Sequence, residues 1–319
     1  MSLTSPDPDL PHCYSAYGMT VLSSFPLEEL AYGASLPPGA ATLTIRDGDV
    51  TLPPQLRDTP SGYVFEPSGS TFFWEGVGAF HVSATGNAVT IDRPGDVDDA
   101  LVAFPLLGPI LSEVMRRRGF FALHASGAAI DGAGFALLAD KGTGKSSSAG
   151  ALLRGGARLL SDDLVAIDPA TGLIQPGFAQ IKLEAPSFAH QMPHPGWVAR
   201  PHVHDKIDKV RVLLPDMMAQ GDIPARAFYV LERGTEDRAQ FDPLPPTEAL
   251  PALLRFSFAP RFGKEALRDA DGEAHFRAAV AICQRVPVRR LRTPAGLDRL
   301  DRLIDDVRAD LAALPGPAR

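Results

Sequence analysis

The stretch 136-ALLADKGTGKSSSAGALL-153 decides the reading of this chain, because it runs from a short apolar strand through a glycine-rich turn into the start of a helix. Phe135 to Ala139 suit a buried parallel strand, and from Lys145 to Leu153 there is no proline, with Leu152 and Leu153 at helical spacing. Between them lies Gly142-Thr143-Gly144-Lys145-Ser146. Small residues let successive backbone N–H groups turn inward on a polyphosphate, and the helix N-terminus adds its partial positive charge. A lysine reaches the outer phosphates, and the hydroxyl after it is placed for Mg²⁺. Against GxxxxGK[ST] the stretch differs at one position, Ala139 standing for the first glycine. Gly142, Thr143, Gly144, Lys145, Ser146 and Ser147 are therefore the candidate phosphate-binding residues.

The residues after this helix supply the acids. Arg154-Gly155-Gly156 stops the helix, Ala157 to Ser161 form the next strand, and Asp162-Asp163 stand at its end. A strand–helix–strand crossover is right-handed and sets the second strand parallel to the first, so the acidic pair arrives at the edge where phosphates lie. One carboxylate suits Mg²⁺ together with Ser146, and its neighbour suits the proton of an attacking hydroxyl. Upstream, 120-FFALHASGAAI-130 reads as a strand paired with the loop strand through an Asp131-Gly132 turn, with His124 at its centre.

The rest of the chain frames this core. The 319 residues allow two domains, 45% hydrophobic and 22% charged residues describe an ordinary globular protein, and a net charge of −7 argues against a general nucleic-acid binder. The N-terminal MSLTSPDPDLP has neither a basic nor an apolar signal region, and no run of about 18 apolar residues occurs, so a soluble cytoplasmic protein without a membrane partner is expected. Cys13 and Cys283 are far apart and lack metal-ligand spacing.

Residues 1 to 98 read as a β-rich N-terminal domain. Phe80, Val82 and Ala84 alternate before a Thr85-Gly86-Asn87 turn, Val89 and Ile91 resume the alternation, and Thr42 to Arg46 and Asp49 to Leu52 read as strands around Asp47-Gly48. Trp74 and His81 read as structural. A helix over 101 to 118 presents Leu107, Leu111, Val114 and Met115 on one side and ends in Arg116-Arg117-Arg118-Gly119, a solvated basic terminus with a glycine cap.

Beyond the acids, strands are expected over Gln180 to Leu183, Val210 to Leu214, Ala227 to Leu231 and Val286 to Leu291. The loop between the first two carries His190, His194, His202 and His204; Pro193 and Pro195 disfavour a zinc-binding helix there, and Lys206, Lys209 and Arg211 offer cations to phosphate. TEALPALLRF reads as a helix, and Leu297, Leu300, Leu303, Ile304, Val307 and Leu311 mark one amphipathic helix before a fraying PGPAR end. The second domain spans 99 to 319, with a core to about 240 and a C-terminal α+β extension.

LHASGAAI, the glycine loop and RGGARLLSDDLVAID together resemble the kinase domain of the HPr kinase/phosphorylase family, and most of all its stand-alone serine kinases, some of which accompany lasso-peptide biosynthesis. YSAYGMTVLSSFPLEEL, IQPGFAQIKL, VRVLLPD, FYVLE and VPVRRLRTP are similar to the same subgroup. The resemblance implies an α/β P-loop kinase that moves the ATP γ-phosphoryl group to a serine of a peptide or protein, with a homo-oligomer as the family's habit. Carried onto this chain, it makes Asp162 the base, Asp163 with Ser146 the Mg²⁺ ligands, and His124 a catalytic residue near the transferred phosphate; Glu184 and Lys209 fall near a family acid and cation. Lys141 stands where the family carries serine, and Gly156 where it often carries histidine. Two other readings of the residues stay open: a kinase of a small hydroxylated metabolite, and an ATP-binding regulatory module without transfer.

Overall fold

The computed structural model describes residues 8–31, 33–36, 39–192, 194–201 and 209–315. It is a mixed α/β protein built on three sheets.

The first sheet has seven strands: β1 (His12–Ala16), β2 (Met19–Ser23), β3 (Ala41–Asp47), β4 (Ser61–Glu66), β5 (Gly69–Trp74), β6 (Gly78–Ser83) and β7 (Ala88–Asp92), in the order β1-β2-β3-β7-β6-β5-β4. The β6–β7 hairpin closes through residues 84 to 87 as its alternation predicts. Asp49 to Leu52 do not form the expected strand. β3 pairs in parallel with both β2 and β7, so Asp47-Gly48 does not close a hairpin. The chain leaves β3 across the end of β7 instead, Gly48 N–H donating to Ile91 O and Val50 N–H to the Asp92 carboxylate.

A helix packs on this sheet in two α segments, α1 (Asp99–Pro105) and α2 (Leu111–Arg117), joined by a wider turn over Leu106–Ile110. Pro109 has no N–H to give the ladder, and Leu111 N–H reaches back to Leu106 O across that turn. Leu107, Leu111, Val114 and Met115 are buried in one cluster with Leu43, Phe72, Phe80 and Ile91. Gly119, at φ 87°, caps the helix, but Arg116 and Arg117 are not a solvated end. Both donate to Glu113, which is 1% exposed and also accepts from Ser70 Oγ, and Arg117 reaches Glu66 O and Ala84 O. The charges became a staple between helix and sheet because a carboxylate buried there must be paired.

The central sheet contains β8 (Phe121–Leu123), β9 (Ala125–Ile130), β10 (Ala133–Leu138), β11 (Arg158–Ser161), β12 (Val165–Ile167), β13 (Leu173–Gln175), β17 (Ile223–Arg233), β18 (Gln240–Pro243) and β19 (Val288–Thr293). A small third sheet, ordered β14-β16-β15, holds β14 (Gln180–Glu184), β15 (Val198–Arg200) and β16 (Lys209–Leu213). Among the described residues the further α-helices are α3 (Lys145–Arg154), α4 (Ala185–Gln191), α5 (Pro246–Arg255), α6 (Asp269–Arg285) and α7 (Leu303–Ala313). β10 is buried on both faces. Phe135 and Leu137 join α3, α7 and the third sheet, whereas Ala136 and Leu138 join α5 and α6. That two-sided burial is why the strand reads as a continuous apolar run.

Three expectations change here. β11 is not the neighbour of β10: both pair antiparallel with β9, which lies between them. The two outer strands still point the same way, so the edge argument survives with one strand inserted. The segment after β14 is not all loop, since α4 includes His190; Pro186 sits at its first turn, where a missing N–H costs nothing. The stripe from Leu297 to Leu311 opens as a 3-10 turn over Asp298–Arg302 before α7 begins. His202, His204, Lys206 and residues 316 to 319 lie outside the described residues.

Candidate functional site

The site is assembled at one edge of the central sheet. β10 ends there at Leu138, β11 ends at Ser161, and the antiparallel β9 begins at Ala125. The Asp131-Gly132 turn, with φ of 52° and 81°, makes the β9–β10 hairpin and so returns the His124 end of β9 to the edge where the glycine loop begins. Loop, histidine and acids, far apart in sequence, meet for this topological reason.

The loop between β10 and α3 uses left-handed backbone at Gly142 (φ 82°) and Gly144 (φ 108°), where non-glycine residues are strained. Thr143 N–H donates to Asp140 O at 3.2 Å, Gly144 precedes the first residue of α3, and Ser148 N–H closes the first helical turn on Gly144 O at 2.8 Å. Arg233, at the C-terminal end of β17, donates to Gly142 O at 2.6 Å, and Arg255 pairs with the Asp140 carboxylate at 2.7 Å. Thr143, Ser147, Arg233, Thr293, Gly296 and Leu300 help line a cleft of about 290 Å³ against the loop.

Lys145 is 8% exposed and turns inward from the loop. Its Nζ lies 3.8 Å from Asp162 Oδ1, 3.5 Å from Asp163 Oδ1 and 3.3 Å from Ser126 Oγ. Asp162, 7% exposed, accepts from Ser126 Oγ at 2.5 Å and from the Lys182 backbone N–H at 2.9 Å. Asp163 accepts from Lys182 Nζ at 2.9 Å, and that ammonium also sits 5.1 Å from the centre of the Phe104 ring. Burial works to raise the Asp163 pKa, but Lys182, Lys145 and His124 hold it well below the usual carboxylate range. Lys182 keeps its charge more firmly than an ordinary lysine: burial opposes it, and Asp163 more than compensates.

His124 is the break between β8 and β9, where the one strand expected over 120 to 130 divides, and it donates from Nδ1 to Asp163 O at 3.1 Å, since a carbonyl can only accept. Burial, then the nearby Lys145, pushes its pKa down to about 4. The neutral ring carries its proton on Nδ1, which leaves Nε2 as an acceptor.

Gly142, Thr143, Gly144, Ser146 and Ser147 lie on the loop and the first turn of α3; Lys145, Asp162, Asp163 and His124 converge on one another. Glu184 and Lys209 stand opposite each other in the β14–β16 register, two residues along from Lys182. Arg211 is no cation for phosphate, because it is buried and paired with Glu29. Ser126 and Lys182 were missed by sequence reasoning. Ser126 had a signal, being a polar residue two positions after His124 in an apolar strand and so on the same face. Lys182 had none, because it arrives from the third sheet.

Among the described residues no group of three His, Cys, Asp or Glu side chains forms a metal site. Mg²⁺ does not require one, taking one or two carboxylates and filling its shell with phosphate oxygens and water. A firmly ionised Asp163 and the half-buried Ser146 fit that demand. Among the described residues no helix is long and apolar enough to cross a membrane.

No known protein-family profile matches the chain. No curated protein matches it either. Among solved structures, the chain is similar to the Hpr(Ser) kinase/phosphatase from Coxiella burnetii, at 13% identity and a TM-score of 0.29, over 60% of this chain and 99% of that one.

Proposed function

We propose that this protein is an ATP- and Mg²⁺-dependent phosphotransferase that phosphorylates a serine of a peptide or protein. The observation that carries the reading is the convergence of Lys145, Ser126, Asp162 and Asp163 beside a glycine loop that opens a helix. Phosphoryl transfer asks for positioning and charge neutralisation more than covalent help. The N–H groups of Gly142 to Ser146 and the α3 N-terminus would bind the phosphates, with Lys145 leaving its carboxylate partners for them. The cleft lined by Thr143, Arg233 and Thr293 is large enough for part of the nucleoside. Asp163 and Ser146 would hold Mg²⁺, which supplies charge neutralisation on the phosphate oxygens.

In the transfer, a bond forms between the serine Oγ and the γ-phosphorus as the bond to the β-phosphate oxygen breaks, ADP leaves, and the serine proton passes to Asp162. Asp162 accepts two hydrogen bonds from the protein, yet a carboxylate has about four lone-pair sites, so capacity for that proton remains. The motif resemblance to stand-alone serine kinases supports a peptide acceptor, including a lasso-type precursor.

The test is mass spectrometry of peptides encoded beside the gene after incubation with protein, ATP and Mg²⁺. Wild type should add one phosphoryl group to serine, Lys145→Ala should add none, and Asp162→Asn should lose transfer by about 10²–10⁴-fold while still binding ATP. Full transfer by Asp162→Asn would remove it as the base. Phosphorylation of free sugars or amino acids alone would replace the acceptor class, and ATP binding without any transfer would leave a regulatory module.

A further inference from the structure

We infer that Tyr17, from the sheet that precedes the phosphate-loop region, is a positioning residue for the Asp162-Asp163 turn. The inference rests on the phosphotransferase reading and adds to it a role for the N-terminal sheet.

Tyr17 sits at the tip of the β1–β2 hairpin and is 1% exposed. Its hydroxyl spans the acidic turn, lying 2.9 Å from Ser161 Oγ, just before the acids, and donating to Leu164 O, just after them, at 3.0 Å. A phenol has one proton, and that carbonyl takes it, so Ser161 donates in the other bond. The Tyr17 N–H is spent on Pro176 O at 2.7 Å, which locks the hairpin tip to the segment after β13. Gly177 completes the seat: a Cβ there would lie 2.8 Å from the Tyr17 ring and 2.6 Å from Ser161 Oγ.

The turn needs such a clasp. Asp163 is a non-glycine residue at φ 68°, a left-handed conformation that side chains resist, and its carbonyl is held by His124. Ser161, Asp163 and Leu164 are thereby each tied by a hydrogen bond to a residue outside the turn: Ser161 donates to Tyr17, Leu164 O accepts from Tyr17, and Asp163 O accepts from His124. Burial raises the Tyr17 pKa far above the ordinary phenol range, so the donor to Leu164 O is retained at any working pH. Tyr17 donates its one proton to Leu164 O and so to neither carboxylate. It acts by fixing the backbone from which they project, and reaction rates are sensitive to such placement at the level of about 1 Å.

The experiment uses the full chain with ATP and Mg²⁺ alone, reading hydrolysis of ATP to ADP and phosphate, the γ-phosphoryl group passing to water, for wild type, Tyr17→Phe, Ser161→Ala, the double variant and Val21→Ala. Val21 is a buried residue of β2 in the same sheet and serves as the destabilised control. Tyr17→Phe should lower kcat by about tenfold or more with the KM for ATP changed less than about twofold. Ser161→Ala should fall in the same direction, the double variant no further than Tyr17→Phe, and Val21→Ala should lose thermal stability with kcat unchanged. A wild-type kcat in Tyr17→Phe overturns the inference, as does an equal fall in Val21→Ala, which would make the effect one of general stability. Where wild type forms ADP only in the presence of an acceptor, the same variants are compared on peptide phosphorylation; absence of both activities fails the phosphotransferase reading first and takes this inference with it.

Discussion

Lys182 holds both acids of the turn at once: its backbone N–H donates to Asp162 at 2.9 Å, and its ammonium donates to Asp163 at 2.9 Å. The two bonds separate experimentally, because a side-chain substitution removes only the second. Lys182→Met should leave Asp162 in place while Asp163 keeps Lys145 as an ammonium partner, until phosphates draw Lys145 away. Transfer should drop by about 10²-fold, comparable to losing one fixed electrostatic donor. ATP affinity should change by a few-fold at most, since Lys182 lies outside the glycine loop. Steady-state transfer kinetics beside calorimetric ATP titration measure the two effects.

The pH response separates the histidines from the carboxylates. His124 and His275 both have pKa values lowered from 6.5 to about 4, His124 by burial and Lys145, His275 by burial and Arg116. The unfolded chain therefore takes up these protons first, and stability falls as pH drops from about 6.5 to about 4. Asp163, held well below the usual carboxylate range, contributes stability present above its unfolded value and lost only at more acidic pH than this window. Urea unfolding midpoints at pH 7 and pH 4.5 should differ clearly for wild type. The difference should shrink in His124→Asn, whose amide N–H can replace the Nδ1 donor to Asp163 O, and in His275→Gln.

The buried carboxylate of Glu113 carries a stability prediction. It is 1% exposed and takes hydrogen bonds from Arg116, Arg117 and Ser70, joining the helix to the first sheet. Glu113→Ala leaves two guanidinium groups facing a buried void and should cost about 3–5 kcal/mol. Chemical denaturation reads the loss directly. Glu113→Gln should cost less, because the amide oxygen still accepts.

These residues also show where sequence reasoning reaches and where it stops. The loop and the Asp162-Asp163 pair were legible because each is contiguous, and its chemistry lies in local order: strand, glycines, lysine, hydroxyl. The hairpins at Asp131-Gly132 and at residues 84 to 87 were legible for the same reason. The strand between β10 and β11 was not, since a crossover fixes direction but not how many strands intervene. Arg117 looked solvated because Ser70 and the carbonyls of Glu66 and Ala84, its partners besides Glu113, come from far upstream in sequence, and Arg116 because Asp271 comes from far downstream. Lys182, Tyr17 and Arg233 reach the site from three different places in the fold, and no spacing within the chain announces that.

Arg233 gives the last test, of how the loop keeps its shape. Gly142 is left-handed at φ 82° and nothing lies within 4 Å of where a Cβ would stand, so the loop there is held by backbone geometry and not by packing. The 2.6 Å bond from the Arg233 guanidinium to Gly142 O is the contact that ties this free turn to the sheet, at the mouth of the cleft that Arg233 also lines. Arg233→Ala should therefore loosen the loop before nucleotide arrives and raise the KM for ATP about 5- to 20-fold, the loss of a charge-assisted hydrogen bond of about 1–2 kcal/mol. The kcat should change less, because Asp162 and its hydrogen bonds are untouched. Gly142→Ala should act on the same step by straining the backbone at a cost of about 1–2 kcal/mol. If both act by raising the energy of one loop conformation, the double variant should fall short of the sum of the two losses, a deficit that a double-mutant cycle on ATP binding measures.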